Sequence, residues 1–333
     1  MTDTVAISIC IPAYKNTTFL RRLLDSIAIQ QFRNFEVVVT DDSPDDSISD
    51  FLHQYPADFP IRYVKNPKAL GTPGNWNEGL RQARGTWVKL MHDDDWFADP
   101  DALGAFHRAT LEHPQTPFHF AAFTNVHEDT GRLEPVTCSP LDLALLRLSP
   151  LVLFRRVYVG NPSCTLVRRD TALFYDEEYK WAVDFEYYIR LLRRSPRFHY
   201  IDRRLLNIGF NALQVTRYTF LVREVQIPEY VSLLWKLGPR ILRNPFVYDN
   251  YWRLFRNLGI RNLSDVEGLA QHPLPPAISR MIRFQRHIPL SILRQGLLSK
   301  PLMLLSYAAS LAHRVGPGRG EAQAKSDRSR NSP

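Results

Sequence analysis

Two runs of carboxylates stand directly after apolar stretches. FEVVVT (35–40) leads into Asp41 and Asp42, and TWVKLMH (86–92) leads into Asp93, Asp94 and Asp95. Adjacent carboxylates repel one another and each resists losing its hydration, so three in a row behind a buried strand call for a positive partner. A hard divalent cation such as Mg2+ or Mn2+ fits, because it prefers oxygen ligands and keeps coordination sites for water and phosphate oxygens. One or two carboxylates then point to a metal shared with a nucleoside diphosphate. The competing readings are an Asx turn or helix cap for Asp41 and Asp42, and a solvated turn for the 93–95 run. GTPGNW (71–76) places Gly71 and Gly74 before a helix start, where backbone can approach a phosphate; a tight turn with a cap is the alternative. This loop is neither GxxxxGKS/T nor GxGxxG, which argues against a P-loop NTPase and a nicotinamide dehydrogenase. Asp184 opens the amphipathic stretch WAVDFEYYIRLLRR (181–194). Alone, an acid there caps the helix; beside the other acids it is a candidate base for an attacking hydroxyl, with Glu186 in reserve.

The segments that must position these acids alternate between strand and helix. Strand signals at 7–14, 35–40, 61–65, 86–92 and 117–126 are separated by helical patterns starting at Thr17/Thr18, near 75 and near Asp99/Pro100. This predicts an α/β fold with a mostly parallel central sheet flanked by helices, whose ligands sit at the carboxyl ends of the strands. Strand 163–169, helix 181–194 and two short strands, FHYI and LLNIG, follow; from 221 the pattern is mainly helical, punctuated by prolines.

The 333 residues are 44% hydrophobic and 23% charged, which excludes a mostly disordered chain. Cys10, Cys138 and Cys164 have no metal or disulfide spacing. The N-terminus lacks a signal-peptide pattern, and the apolar run 301–313 is too short to span a bilayer, so a cytoplasmic location is expected. Residues 1–220 carry 25 Lys/Arg and 27 Asp/Glu, whereas 221–333 carry 17 and 7, so the net charge of +8 lies in the rear part. No nucleic-acid motif accompanies it, so nucleic acid is not an expected partner. Residues 280–314 mix apolar clusters with spaced arginines, which suits an anionic membrane surface; helices packed on the front part or in a dimer interface are the alternative. The expected organisation is a catalytic domain over 1–220, a basic helical extension over 221–314 and a disordered tail over 315–333.

ISICIPAYKN, FEVVVTDDSPDD, GTPGNWNEGLRQARGTWVKLMHDDDW and VDFEYYIRLL, in this order across roughly 5–215, resemble family 2 of the glycosyltransferases. The resemblance implies a GT-A, Rossmann-like nucleotide-sugar fold. It implies an inverting transfer from a nucleotide diphosphate sugar to a saccharide or polyprenyl-linked acceptor, in polysaccharide or glycoconjugate biosynthesis. By the same resemblance Pro12, Ala13 and Tyr14 would line the base pocket, and Asp42 would accept a hydrogen bond from the base, with Asp41 beside it. Gly74, Asn77 and Asp93 would face the nucleotide sugar. Asp94, with Asp95, would hold Mn2+ or Mg2+, and Asp184 would be the general base. Asn161, Glu186, Gln214 and Thr216 would be further donor or acceptor contacts. The chain departs from the family pattern at four places: Lys15 stands where Asn is usual, His92 where the first acid is common, Val183 where a Glu precedes the base, and Asp99 is one extra residue before Pro100. A sugar nucleotidyltransferase is the rival enzyme class, but its Gly-rich basic loop is replaced by PAYKNTT; an inactive nucleotide-sugar-binding protein is the other.

Overall fold

The computed structural model describes residues 4–211 and 219–312. β1 (Ile7–Ala13) and β2 (Phe35–Asp41) are apolar along nearly their whole length because both faces of the sheet they enter are covered. Their side chains, with Leu20, Leu23, Leu24 and Ile27 of α1 (Thr17–Ala28), form the main buried cluster of the first unit. Asn16 caps α1 by accepting from Phe19 N at 3.0 Å, and Thr17 is the first helical residue.

β3 (Ile61–Lys65), β4 (Trp87–Leu90), β5 (Trp96–Phe97), β6 (Phe118–His127), β7 (Leu133–Val136), β8 (Thr165–Arg168) and β9 (His199–Phe210) complete a nine-stranded sheet in the order 3-2-1-4-8-6-9-5, with β7 on β6. Strands 3-2-1-4 are parallel, so the ends of β1, β2 and β4 open on one edge. The other half is mixed: β8 runs antiparallel to both β4 and β6, while β9 is parallel to β6. The two short strands read at FHYI and LLNIG are one strand, β9, whose register shifts against β6 near Ala121 and Ala122. The flanking helices are α2 (Ser47–Gln54), α3 (Gly74–Gln82), α4 (Ala102–Glu112), α5 (Pro140–Leu148) and α6 (Val183–Arg194).

The chain divides into two compact units, Met1–Tyr230 and Val231–Pro333. The division falls inside α7 (Arg223–Leu237), ten residues beyond the expected boundary at 220. The second unit is helical, as its sequence predicts: α8 (Pro245–Asn257), α9 (Ser264–Glu267), α10 (Pro276–Arg286), α11 (Leu290–Leu293) and α12 (Gly296–Ala312). Pro245 and Pro276 stand at the first turn, where a missing N–H costs nothing. Among the described residues no helix is long and apolar enough to cross a membrane. The tail expected to be disordered, 315–333, lies outside the described residues.

Candidate functional site

The acids of the 93–95 run divide into different environments. Asp95 is wholly buried and held by the chain itself: its Oδ2 accepts from Asn161 Nδ2 at 2.7 Å and Ser163 Oγ at 2.6 Å, and its Oδ1 from Gly209 N at 3.1 Å. Burial and the Asp94 charge together push its carboxyl up to about 8. Asp93 is driven well above the usual carboxylate range by burial and by Asp94 and Asp95. Asp94 Oδ2 accepts from Asn211 Nδ2 at 3.0 Å, and its main-chain carbonyl accepts from Arg22 Nη2 at 2.7 Å. His92 stands over the ring of Trp76, 4.7 Å between centroids, and its Nε2 is buried with no hydrogen-bond partner. Burial lowers its basicity, against the pull of Asp94 and Asp184.

Asp184 is the second residue of α6, yet it does not cap the helix: Ala182 is the N-cap and makes no side-chain cap bond. Glu229 of α7 holds the turn that leads into the helix. Its carboxylate accepts from the N–H groups of Lys180 at 2.8 Å, Trp181 at 3.0 and 3.3 Å, and Ala182 at 2.9 Å. Asp184 Oδ1 is buried without a partner. Burial raises its carboxyl to about 6, with His92 lowering it and Asp95 raising it. Asp184, His92 and the 93–95 run therefore share one electrostatic neighbourhood.

His92, Asp94 and Asp95 each offer a ligand atom, all within 4.8 Å of one another. One imidazole and two carboxylates suit a divalent cation, and the His92 Nδ1 lies 3.8 Å from Asp95 Oδ2. Behind them Lys89 is fully buried in β4, its Nζ donating to Ser163 O at 2.6 Å and Thr165 O at 3.3 Å. Burial pushes this lysine down to about 7, against the attraction of Cys164 and Asp95. Gly209 closes the site from β9: a Cβ there would collide with the Asp94 carbonyl oxygen.

The nucleotide-side residues have more internal roles than their sequence suggests. Asp41 is fully buried and spent on Ser43 N, Tyr63 OH and Lys65 Nζ. Asp42 accepts from Asn66 Nδ2 at 2.7 Å, Leu70 N at 3.0 Å and Gly71 N at 2.7 Å, so it shapes the 66–71 loop and keeps about one of four lone-pair sites. Tyr14 is exposed and Pro12 half-buried, but the Ala13 side chain lies in the core and only its carbonyl is used, by Asp42 N and Asn75 Nδ2. Gly74 opens α3, where a Cβ would sit 3.0 Å from that of Leu70. Asn77 is not brought to the acids: its amide is bound to Tyr175 N, Tyr175 O and Glu177. Glu186 is sealed against Arg190 at 2.6 Å, which removes it as a reserve base. Asn161 reaches the site, holding Asp95. Gln214 and Thr216 lie outside the described residues. The sequence gives no signal for Lys89, Ser163, Gly209 or Glu229, because their partners stand 68 to 114 residues away in three cases and 47 to 49 in the fourth.

Residues 8–132, which contain β1, β2, β4 and the acids at their ends, match Glycosyl transferase family 2. The chain carries a family 2 glycosyltransferase domain. A Mycobacterium tuberculosis protein, MT1568, is 30% identical over 208 residues, 57% of this chain and 62% of that relative, so the chain spans less than two thirds of its length. The fold is that of S. aureus TarS 1-349 in complex with UDP-GlcNAc (TM-score 0.55, 16% identity, 94% and 93% of the two chains). It is shared by the mannosyltransferase PcManGT from Pyrobaculum calidifontis in complex with GDP-Man and Mn2+ (TM-score 0.50, 14% identity, 98% and 81%). The glycosyltransferase domain thus occupies the GT-A architecture, with its acids at the carboxyl edge of the parallel strands.

Proposed function

We propose that this protein is an inverting glycosyltransferase that moves a sugar from a nucleotide diphosphate sugar to a hydroxyl of a saccharide or polyprenyl-linked acceptor, in polysaccharide or glycoconjugate assembly. The observation that carries the reading is the carboxylate of Asp184: a helix-start acid that does not cap its helix, with one oxygen buried and unpartnered beside His92 and Asp95. Asp184 takes the proton of the acceptor hydroxyl as its oxygen bonds to the anomeric carbon. The bond from that carbon to the diphosphate oxygen breaks, and the electron pair leaves with the nucleoside diphosphate. Asp94, with His92 and Asp95, would hold Mn2+ or Mg2+, which supplies charge stabilisation for the departing diphosphate. Tyr14 and the remaining acceptor site of Asp42 would receive the base.

The test is product formation from a panel of UDP- and GDP-sugars with Mn2+. Asp184→Asn should lower turnover by about 10²–10⁴-fold while leaving donor affinity intact; wild-type turnover in that variant refutes the assignment. The exposed Leu297, Leu304 and Leu305 of α12, within a basic unit, support a peripheral place on the inner face of the cell membrane. Flotation of the full chain with phosphatidylglycerol vesicles, and its loss in Leu297→Glu/Leu305→Glu, tests this; equal flotation of the two proteins refutes it.

A further inference from the structure

The second unit contains a cavity of about 340 Å³ lined by Arg261, Arg283 and Arg286, together with Asn262, Ser264 and Ile282. That volume is at the lower end of the about 300–1,000 Å³ typical of small-molecule sites. Arg261 is fixed from behind: its Nη2 donates to the carbonyls of Arg286 at 2.6 Å and Ile288 at 2.7 Å. Its Nη1 is buried and has no acceptor. Arg283 and Arg286 lie three positions apart on α10, hence on one face, where like charges destabilise a helix. Among the described residues none of the three guanidiniums pairs with a carboxylate. The neighbouring acid, Asp265, accepts instead from the backbone N–H groups of Arg261 and Asn262, both at 2.9 Å.

One guanidinium is held in place with a buried nitrogen that has no acceptor, two more line the same cavity, and among the described residues no carboxylate pairs with any of the three. Guanidinium groups bind phosphate through two parallel hydrogen bonds, and the pocket also offers the Asn262 amide and the Ser264 hydroxyl. We propose that this pocket binds a phosphate group, carried either by a lipid headgroup or by a soluble phosphate compound. The proposal does not rest on the transferase reading.

The experiment uses the full-length chain, the double variant Arg283→Gln/Arg286→Gln and, as a charge-matched control in the same unit, Arg240→Gln/Arg243→Gln. Inorganic pyrophosphate is titrated calorimetrically in one arm, and phosphatidic acid vesicles are floated against neutral phosphatidylcholine vesicles in the other. The pocket variant should bind about 100-fold more weakly, about tenfold for each charged hydrogen-bonding group lost, while the control keeps its affinity. Pyrophosphate binding without vesicle binding identifies a soluble source; vesicle binding that depends on the pocket identifies a lipid. Equal binding by wild type and pocket variant, equal losses in both variants, or no binding in either arm overturns the proposal.

Discussion

Replacing Glu229 by Ala tests whether a residue on α7 positions the proposed base on α6. The substitution removes the acceptor for the N–H groups of Lys180, Trp181 and Ala182. Lys180 is exposed and water can replace the carboxylate there, but Ala182 is buried and Trp181 half-buried. Two charge-assisted bonds at about 1.5–3 kcal/mol each give a gross loss of about 3–6 kcal/mol. Glu229 is itself a buried carboxylate, and burial holds its carboxyl above the ordinary range. Relief of that desolvation offsets part of the loss and leaves a net of about 3 kcal/mol. For a unit of this size, about 2–4 °C per kcal/mol corresponds to a fall in Tm of about 6–12 °C. Glu229→Gln keeps one acceptor oxygen and turns an NH2 group towards the remaining N–H donors, so about half of that fall is expected. Scanning fluorimetry measures both, and turnover well below the melting range reports on Asp184: kcat should drop with the donor KM unchanged. Tm values of both variants within about 1 °C of wild type would refute the anchoring of the 180–182 turn by Glu229.

Asp184 acts as a base only when ionised, and its carboxyl is held at about 6, so turnover should rise with pH through that value; a flat profile between about pH 5 and 8 refutes the role. Lys89 is held at about 7, below its ordinary value near 10.5, so the folded state binds fewer protons than the unfolded state between these values. Its contribution to stability is present above the unfolded value and is lost as pH falls through about 7; Lys89→Met should flatten the rise in urea midpoint between pH 7 and about 10, and an unchanged slope counts against it. Gly209→Ala drives a methyl group into the Asp94 carbonyl and should cost about 1–3 kcal/mol together with metal affinity, read by denaturation and Mn2+ titration; a neutral outcome contradicts the close approach.

The strands, the acids at their ends and the helix carrying Asp184 are legible in the sequence, because burial on both faces of a parallel sheet demands apolar runs and because strand ends open on one edge. The helical character of the rear part is legible from periodicity and proline placement for the same local reason. The division of labour among the acids is another matter. Asp93, Asp94 and Asp95 are alike in type and adjacent, yet Asp95 is tied to Asn161, Ser163 and Gly209. Asp42 holds a loop, and Asn77 fastens the 175–177 segment. The turn that leads into the helix of Asp184 is held by Glu229, 45 positions after that acid. Hydrogen bonds and burial set those roles, and both depend on which distant segments the fold brings within about 3 Å, a distance that neither residue type nor spacing encodes.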